Sequence, residues 1–183
     1  TDLFPLYSPH FKETYFNYNI LSGTTTIPAN EFKDDDYLLT ITIADSVTSI
    51  GDSAFSGTTN LKSCTTTSTS QLASIGTSCF QECFNLTSLT IPSVTSLSGY
   101  FVDKCYKLTS LDLPTNAGFT TIPDYSFYNS GLTSVTIPDT VSSIGDYAFS
   151  GDAPPNNFQY VFIEKYYLYL ELSEIEIWDV YGN

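Results

Sequence analysis

Between Leu132 and Gly151 the chain reads LTSVTIPDTVSSIGDYAFSG, and most of the remaining sequence is a set of looser copies of that string. Its apolar residues, Leu132, Val135, Ile137, Val141, Ile144 and Phe149, follow neither a helical period nor an unbroken period of two. They describe one turn of a coil. Val135 and Ile137 fall on one side of a short strand with Thr136 facing out, because side chains alternate across a strand. Pro138 and Asp139 break that strand, Val141 to Ile144 make a second extended piece, and Gly145-Asp146 supplies the next corner. Asp146 then reads as the N-cap of a brief helical turn that carries Ala148 and Phe149 inward.

Copies begin near Tyr15, Leu38, Leu61, Leu86, Leu108, Leu132 and Phe158, at spacings of 23, 23, 25, 22, 24 and 26 residues. A repeat with tolerated insertions decides the architecture before local propensity does. A lone coil buries too little to fold, so neighbours must stack, each about 4.8 Å from the next. Three segments follow: residues 1–14 as an N-terminal cap, 15–157 as the repeats, and 158–183 as a last strand followed by a C-terminal cap or assembly segment. In the last segment Leu168, Leu170 and Leu172 alternate with Tyr167, Tyr169 and Glu171, which reads as long strands. A β-rich end of this kind either covers the stack or pairs with the end of another copy.

The strings LTSVTIPDTVSSIGDYAFSG and LTITIADSVTSIGDSAFSG resemble the BspA-type leucine-rich repeats of secreted and surface proteins, with IP, IG and AF recurring at fixed offsets over roughly residues 15–157. The resemblance implies a right-handed α/β repeat solenoid with a parallel sheet on its concave face and short strands and short helical or 3-10 turns elsewhere. It also implies an adhesive or interaction protein, not an enzyme. The cysteine common after AF in that family stands here only at Cys83 and Cys105.

Outward strand positions, two and four residues after each repeat start, are Thr40 and Thr42, Ser63 and Thr65, Ser88 and Thr90, Ser110 and Asp112, Ser134 and Thr136. They form two columns of hydroxyls interrupted by Asp112. Thr suits an exposed strand by its β-branch, and neighbouring hydroxyls bond across it, so structure alone explains much of the pattern. The functional reading is a flat polar face for a protein or carbohydrate ligand. Large aromatic anchors enter it only at Tyr160 and Phe162, near the C-terminal end.

Catalysis finds no constellation. His10 is the single histidine and lies in the N-terminal cap, so neither a Ser/His/Asp set nor a histidine metal site can be assembled. Asp34-Asp35-Asp36 lacks the spaced ligands of a calcium loop and reads as a solvated turn. No cofactor or metal is expected. Cys64 and Cys79 read as small core residues. Cys83 and Cys105 stack in adjacent coils at a spacing compatible with either a disulfide or a pair of buried thiols.

The chain has 20 acidic and 6 basic residues, a net charge of −14. Nucleic acid and anionic membrane surfaces need clustered Lys/Arg and are poor partners for it. No stretch approaches the ~20 apolar residues of a membrane span, so membrane insertion is not expected. Thr1 opens a chain without Met, so an initiator and any leader are expected to be removed or to lie outside it. Abundant Thr and Ser, the family resemblance and the glycosylation acceptor Asn85-Leu86-Thr87 point to an extracellular or cell-surface setting. Two functions follow: a non-catalytic adhesion or recognition module, or a filament subunit that assembles head to tail through its terminal strands.

Overall fold

A computed structural model describes residues 14–67 and 69–151, together with the backbone of 160–163 and 177–179. The proposed N-terminal cap, His10, and most of the proposed C-terminal strands lie outside the described residues. The strands are β1 (Phe16–Asn19), β2 (Thr26–Ile27), β3 (Leu38–Thr42), β4 (Ser49–Ile50), β5 (Ser63–Thr65), β6 (Ser74–Ile75), β7 (Ser88–Leu89), β8 (Thr121–Ile122), β9 (Ser134–Ile137), β10 (Ser143–Ile144), β11 (Tyr160–Ile163) and β12 (Ile177–Asp179). All pair in parallel, those from β1 to β11 each with its equivalent one coil away as a solenoid requires, and β12 beside β11.

Two of the three faces of the coil are built from strands. On the first face β1, β3, β5 and β7 form one sheet and β9, β11 and β12 another. On the second, β2, β4 and β6 form a sheet that Ser96 joins by a bridge to Ser74, and β8 pairs with β10. Register follows the sequence offsets: Thr40 opposes Ser63, Ile41 opposes Cys64, Ser63 opposes Ser88 and Tyr160 opposes Ser134. Val135 and Ile137 are buried while Thr136 is exposed, as alternation demands. Ile43, Ile91 and Ile137 belong to one continuous core.

The third face corrects one sequence expectation. Around the AF element there is no helix among the described residues, only turns. Asp146 caps nothing: its own N–H donates to Asp124 Oδ1 at 2.8 Å. Two residues before the inward Phe the backbone is left-handed at Asn30, Ser53, Ser78, Tyr100, Tyr125 and Tyr147, and two residues after it at Asp34, Gly57, Glu82, Lys104 and Asn129. With those residues flipped, the N–H groups reach across to the next coil instead of back into their own turn. Thus Ser53, Phe55 and Gly57 donate to Thr77, Cys79 and Gln81, and Tyr100, Val102 and Lys104 donate to Asp124, Ser126 and Tyr128. Each of the five junctions from the first coil to the sixth carries three such bonds.

That close approach explains the invariant corner glycine of each good repeat. A Cβ on Gly51 would sit 2.8 Å from Ala29 Cα, and one on Gly76 would sit 2.6 Å from the Asp52 nitrogen. Inside the third face the phenyl rings make a column. Phe32, Phe55 and Phe80 stack at centroid spacings of 5.2 and 5.1 Å. In the fourth coil Val102 holds the Phe register and Phe101 the Ala register, so the column continues through the turned ring of Phe101, at 82° to Phe80. It resumes at Phe127 and Phe149, stacked at 5.2 Å.

Three residues past each Phe position stands a second column: Asp35, Thr58, Cys83, Cys105 and Ser130, all buried. From three of its members a side-chain donor reaches the carbonyl of the Phe residue in the preceding coil. Thr58 Oγ1 donates to Phe32 at 2.8 Å, Cys83 Sγ to Phe55 at 3.1 Å and Cys105 Sγ to Phe80 at 3.0 Å. Threonine and cysteine alternate here because each supplies one compact donor to an otherwise orphaned buried oxygen.

Candidate functional site: a gap in the first sheet

The outward hydroxyls of the first face divide into two groups. In the N-terminal coils two of them bond within the protein. Thr40 donates to Asn17 Oδ1 at 2.8 Å, and Thr90 Oγ1 accepts the Thr66 N–H at 2.8 Å. Thr42, Ser63, Thr65 and Ser88 complete this half of the face, half-buried or exposed on an unbroken ladder. Above it the insertion after β5 folds onto Asp45, whose carboxylate accepts from Thr67 and Thr69. Those two hydroxyl bonds hold the Asp45 carboxyl below its ordinary range.

The fifth coil behaves differently. Leu111 and Leu113 point inward and are buried, yet residues 110–113 form no strand. Among the described residues no backbone hydrogen bond joins 109–115 to β7 on one side or to β9 on the other. The continuous first sheet expected from the repeats is therefore interrupted here. Two features coincide with the break: Asp112 stands where other coils carry Thr or Ser, and Asp is disfavoured in strands. The preceding spacing, 22 residues, is also the shortest.

The break opens a cleft of about 320 Å³, at the small end of the range of ligand sites. Its polar lining is Ser110, Asp112, Ser134 and Thr136, four of the positions expected from the sequence, joined by Thr115. Its apolar lining is Leu111, Leu113, Val135 and Pro138. Of the sequence-expected positions, only these four share a cleft; Thr40 through Thr90 lie on the intact sheet. Tyr160 and Phe162 are on β11, in register with Ser134 and Thr136 on the far side of β9.

The remaining candidates have structural roles. All four cysteines are buried and stand as free thiols in the structure. Burial pushes the Cys64 thiol up to about 12 and raises those of Cys79 and Cys83 well above the ordinary value, which removes the reactive thiolate at neutral pH. Asn85 Nδ2 donates to the Thr59 carbonyl at 2.8 Å, while its Oδ1 accepts from Lys107 at 2.6 Å. Asp35 accepts the Tyr37 N–H at 2.9 Å and Asp36 accepts from Thr59 at 2.5 Å, which makes the acidic run a bonded turn.

One feature was overlooked in the sequence. Tyr100, Tyr125 and Tyr147 stack on the outside of the third face, at centroid spacings of 4.8 and 5.1 Å. They occupy the left-handed position that Asn30, Ser53 and Ser78 fill in earlier coils. The signal was present as GDSAF and GTSCF changing to PDYSF and GDYAF.

With this geometry in hand the comparisons are direct. The family model described as "BspA type Leucine rich repeat region" matches residues 25–154 in six copies, well over half of the chain. The chain belongs to the BspA-type leucine-rich-repeat family. Among solved structures it is similar to a leucine rich cell surface protein from Faecalibacterium prausnitzii, with 24% identity and a TM-score of 0.54 over 75% of this chain and 45% of that one. It is also similar to a leucine rich repeat protein of T. pallidum, with 20% identity and a TM-score of 0.54 over 72% of this chain and 73% of that one. The chain thus spans less than half the length of the first of these. Among curated proteins, none matches the sequence. No helix among the described residues is long and apolar enough to cross a membrane.

Proposed function

We propose that this chain is a non-catalytic recognition module, displayed outside the cell or at its surface, that takes protein or carbohydrate ligands on the first face. The observation that carries the reading is the cleft, in which four outward positions and an unpaired strand edge converge on an otherwise self-satisfied sheet. The family supports a module of repeats whose folded body presents surfaces instead of a reaction centre. The cell-surface setting is supported by the likeness to the F. prausnitzii cell surface protein and by the hydroxyl-rich, acidic composition. The inert, buried thiols support the absence of nucleophilic chemistry.

Glycan and protein arrays probed with the labelled chain test this. Binding that falls at least tenfold in a Ser110→Ala/Thr136→Ala double variant and is unchanged in Thr42→Ala is the expected result. Binding indifferent to all of these removes the first face from consideration. A second reading, the filament subunit, draws on the outer edge of β12, which carries no further strand among the described residues. Exposed strand edges invite pairing with another chain. Size-exclusion chromatography that shows only monomers at high concentration rejects it.

A further inference from the structure

The interrupted sheet leaves chemistry that hydroxyl columns alone do not. In a solenoid each strand is paired on both edges, so its backbone donors and acceptors are consumed. Here β9 is bonded to β11 on one edge, and no backbone bond is made from its other edge to residues 110–113. Residues 110–113 are themselves unbonded to both neighbouring coils. Two rows of backbone N–H and C=O groups therefore border a cleft whose floor is apolar, formed by Leu111, Leu113 and Val135. Main-chain polar groups beside buried apolar surface need partners, and the ligand that supplies them at strand spacing is another extended backbone.

The side chains narrow the choice. Asp112 is exposed and is the single ionisable group in the lining. None of the lining residues is aromatic, so the stacking platform that a sugar ring uses is missing from the cleft itself. The basic residues closest in sequence are engaged in the fourth coil: Lys104 pairs with Glu82 at 2.7 Å and Lys107 with Asn85. A net charge of −14 draws cations toward the whole surface and repels acidic chains.

Resting on the recognition reading above, we propose that the cleft between the fifth and sixth coils receives an extended basic peptide, which pairs as an added strand with the open edge of β9 and seats a Lys or Arg on Asp112. Backbone pairing supplies affinity that tolerates many sequences. The carboxylate supplies the charge preference, and the apolar floor accepts the alternate side chains of the guest strand.

The test uses the full chain, fluorescently labelled, on an array of immobilised heptapeptides. The peptides alternate Thr and Val around a central Lys, Arg, Gln or Glu, each printed beside a version N-methylated at alternate residues. The expected result is Lys and Arg peptides retained at least tenfold over the Glu peptide, with N-methylation abolishing retention. Asp112→Asn should bring Lys, Gln and Glu within about twofold of one another, and Thr136→Arg should abolish binding, while thermal unfolding shows both variants folded. Thr42→Ala, on the intact sheet, should bind as wild type does. Retention that survives N-methylation overturns strand pairing, and a Lys preference that survives Asp112→Asn overturns the charge seat. Absence of retention for every heptapeptide overturns the proposal. If oligosaccharides are instead retained and are lost in the Ser110→Ala/Thr136→Ala variant, the peptide assignment fails while the recognition reading stands.

Discussion

The first three coils and the last three are held together by different means. From β1 to β6 the junctions carry ladders on both strand faces and backbone bonds on the third, and the step to β7 keeps a ladder on the first face and a single bridge on the second. Between the fourth and fifth coils neither strand face has a ladder among the described residues, and the junction relies on the three bonds of the third face, the Gly131 N–H donated to Cys105 and the Asn116 amide donated to Val94. The tyrosine stack appears at this same place. Tyr100 lies on Tyr125 with the rings 5° apart, and Tyr125 on Tyr147 at 16°. A bulky residue in the left-handed region is strained, so small polar residues hold that position where the ladders are complete. Stacking offsets that strain by about 0.5–1.5 kcal/mol per aromatic pair. The contrast teaches that a repeat protein can surrender a ladder locally, gaining an open edge, when another face takes over the cohesion.

Breaking the regular half should have the largest effect. Phe55 is fully buried between two stacked rings, and Phe55→Ala is expected to cost about 3–5 kcal/mol in a urea melt. Two glycines at neighbouring turn positions come next. Gly76→Ala drives a Cβ into the backbone of the preceding coil and is expected to cost more than about 2 kcal/mol. Gly99→Ala meets only the Asp124 carbonyl oxygen, at 3.0 Å across the laddered-free junction, and should cost under about 1 kcal/mol. Equal losses in the two variants would mean that the contact met by the added Cβ does not set the cost.

Tyr125→Asn keeps a residue tolerant of the left-handed backbone and removes both stacks, so a loss of about 1–3 kcal/mol is expected. Hydrogen exchange should then accelerate in residues 100–131 and stay unchanged in β3 and β5. Uniform acceleration would show that the tyrosines do not act at the weak junction.

The smallest effect concerns Asp103, a fourth-coil residue whose side chain bonds back to the third coil. It is 3% exposed, and one oxygen accepts from Gln81 at 2.8 Å while the other has no hydrogen-bond partner. Burial raises its carboxyl above the ordinary value, against the lowering effects of Gln81 and Lys104. A carboxyl raised on folding favours the native state below the unfolded value of about 3.9 and loses that contribution as pH climbs through the folded value. Asp103→Asn should therefore melt above wild type at pH 7, with the gap closing by pH 3. A gap independent of pH would assign the effect to packing.

The solenoid, its register and nearly all of the core were legible in the string ending in DYAFSG, because offsets between apolar residues transmit directly into which side chains share a coil. The turn chemistry was not. Ala148 and Phe149 would point inward from a helical turn as readily as from the observed one, and Tyr, Lys and Glu are residues that seldom announce a left-handed backbone. The position of the cleft was half visible: Asp112 was seen to interrupt the hydroxyl columns, but pairing is a property of two neighbouring strands. Leu111, Leu113 and Val135 read as ordinary core, so their edge could not be recognised as open from one coil alone. The role of Cys83 and Cys105 was equally ambiguous, since a spacing fit for a disulfide is also the spacing of two donors serving successive carbonyls.

The bonds of the third face all run the same way, with each coil giving N–H to the one that follows it. The column is for this reason an arrow. Its peptide dipoles add along the axis as those of a helix do, so the leading and trailing ends of this face differ in electrical character. Any copy that extended it would have to arrive in the same orientation, and an assembly built on this axis would have a sense of direction from its first subunit.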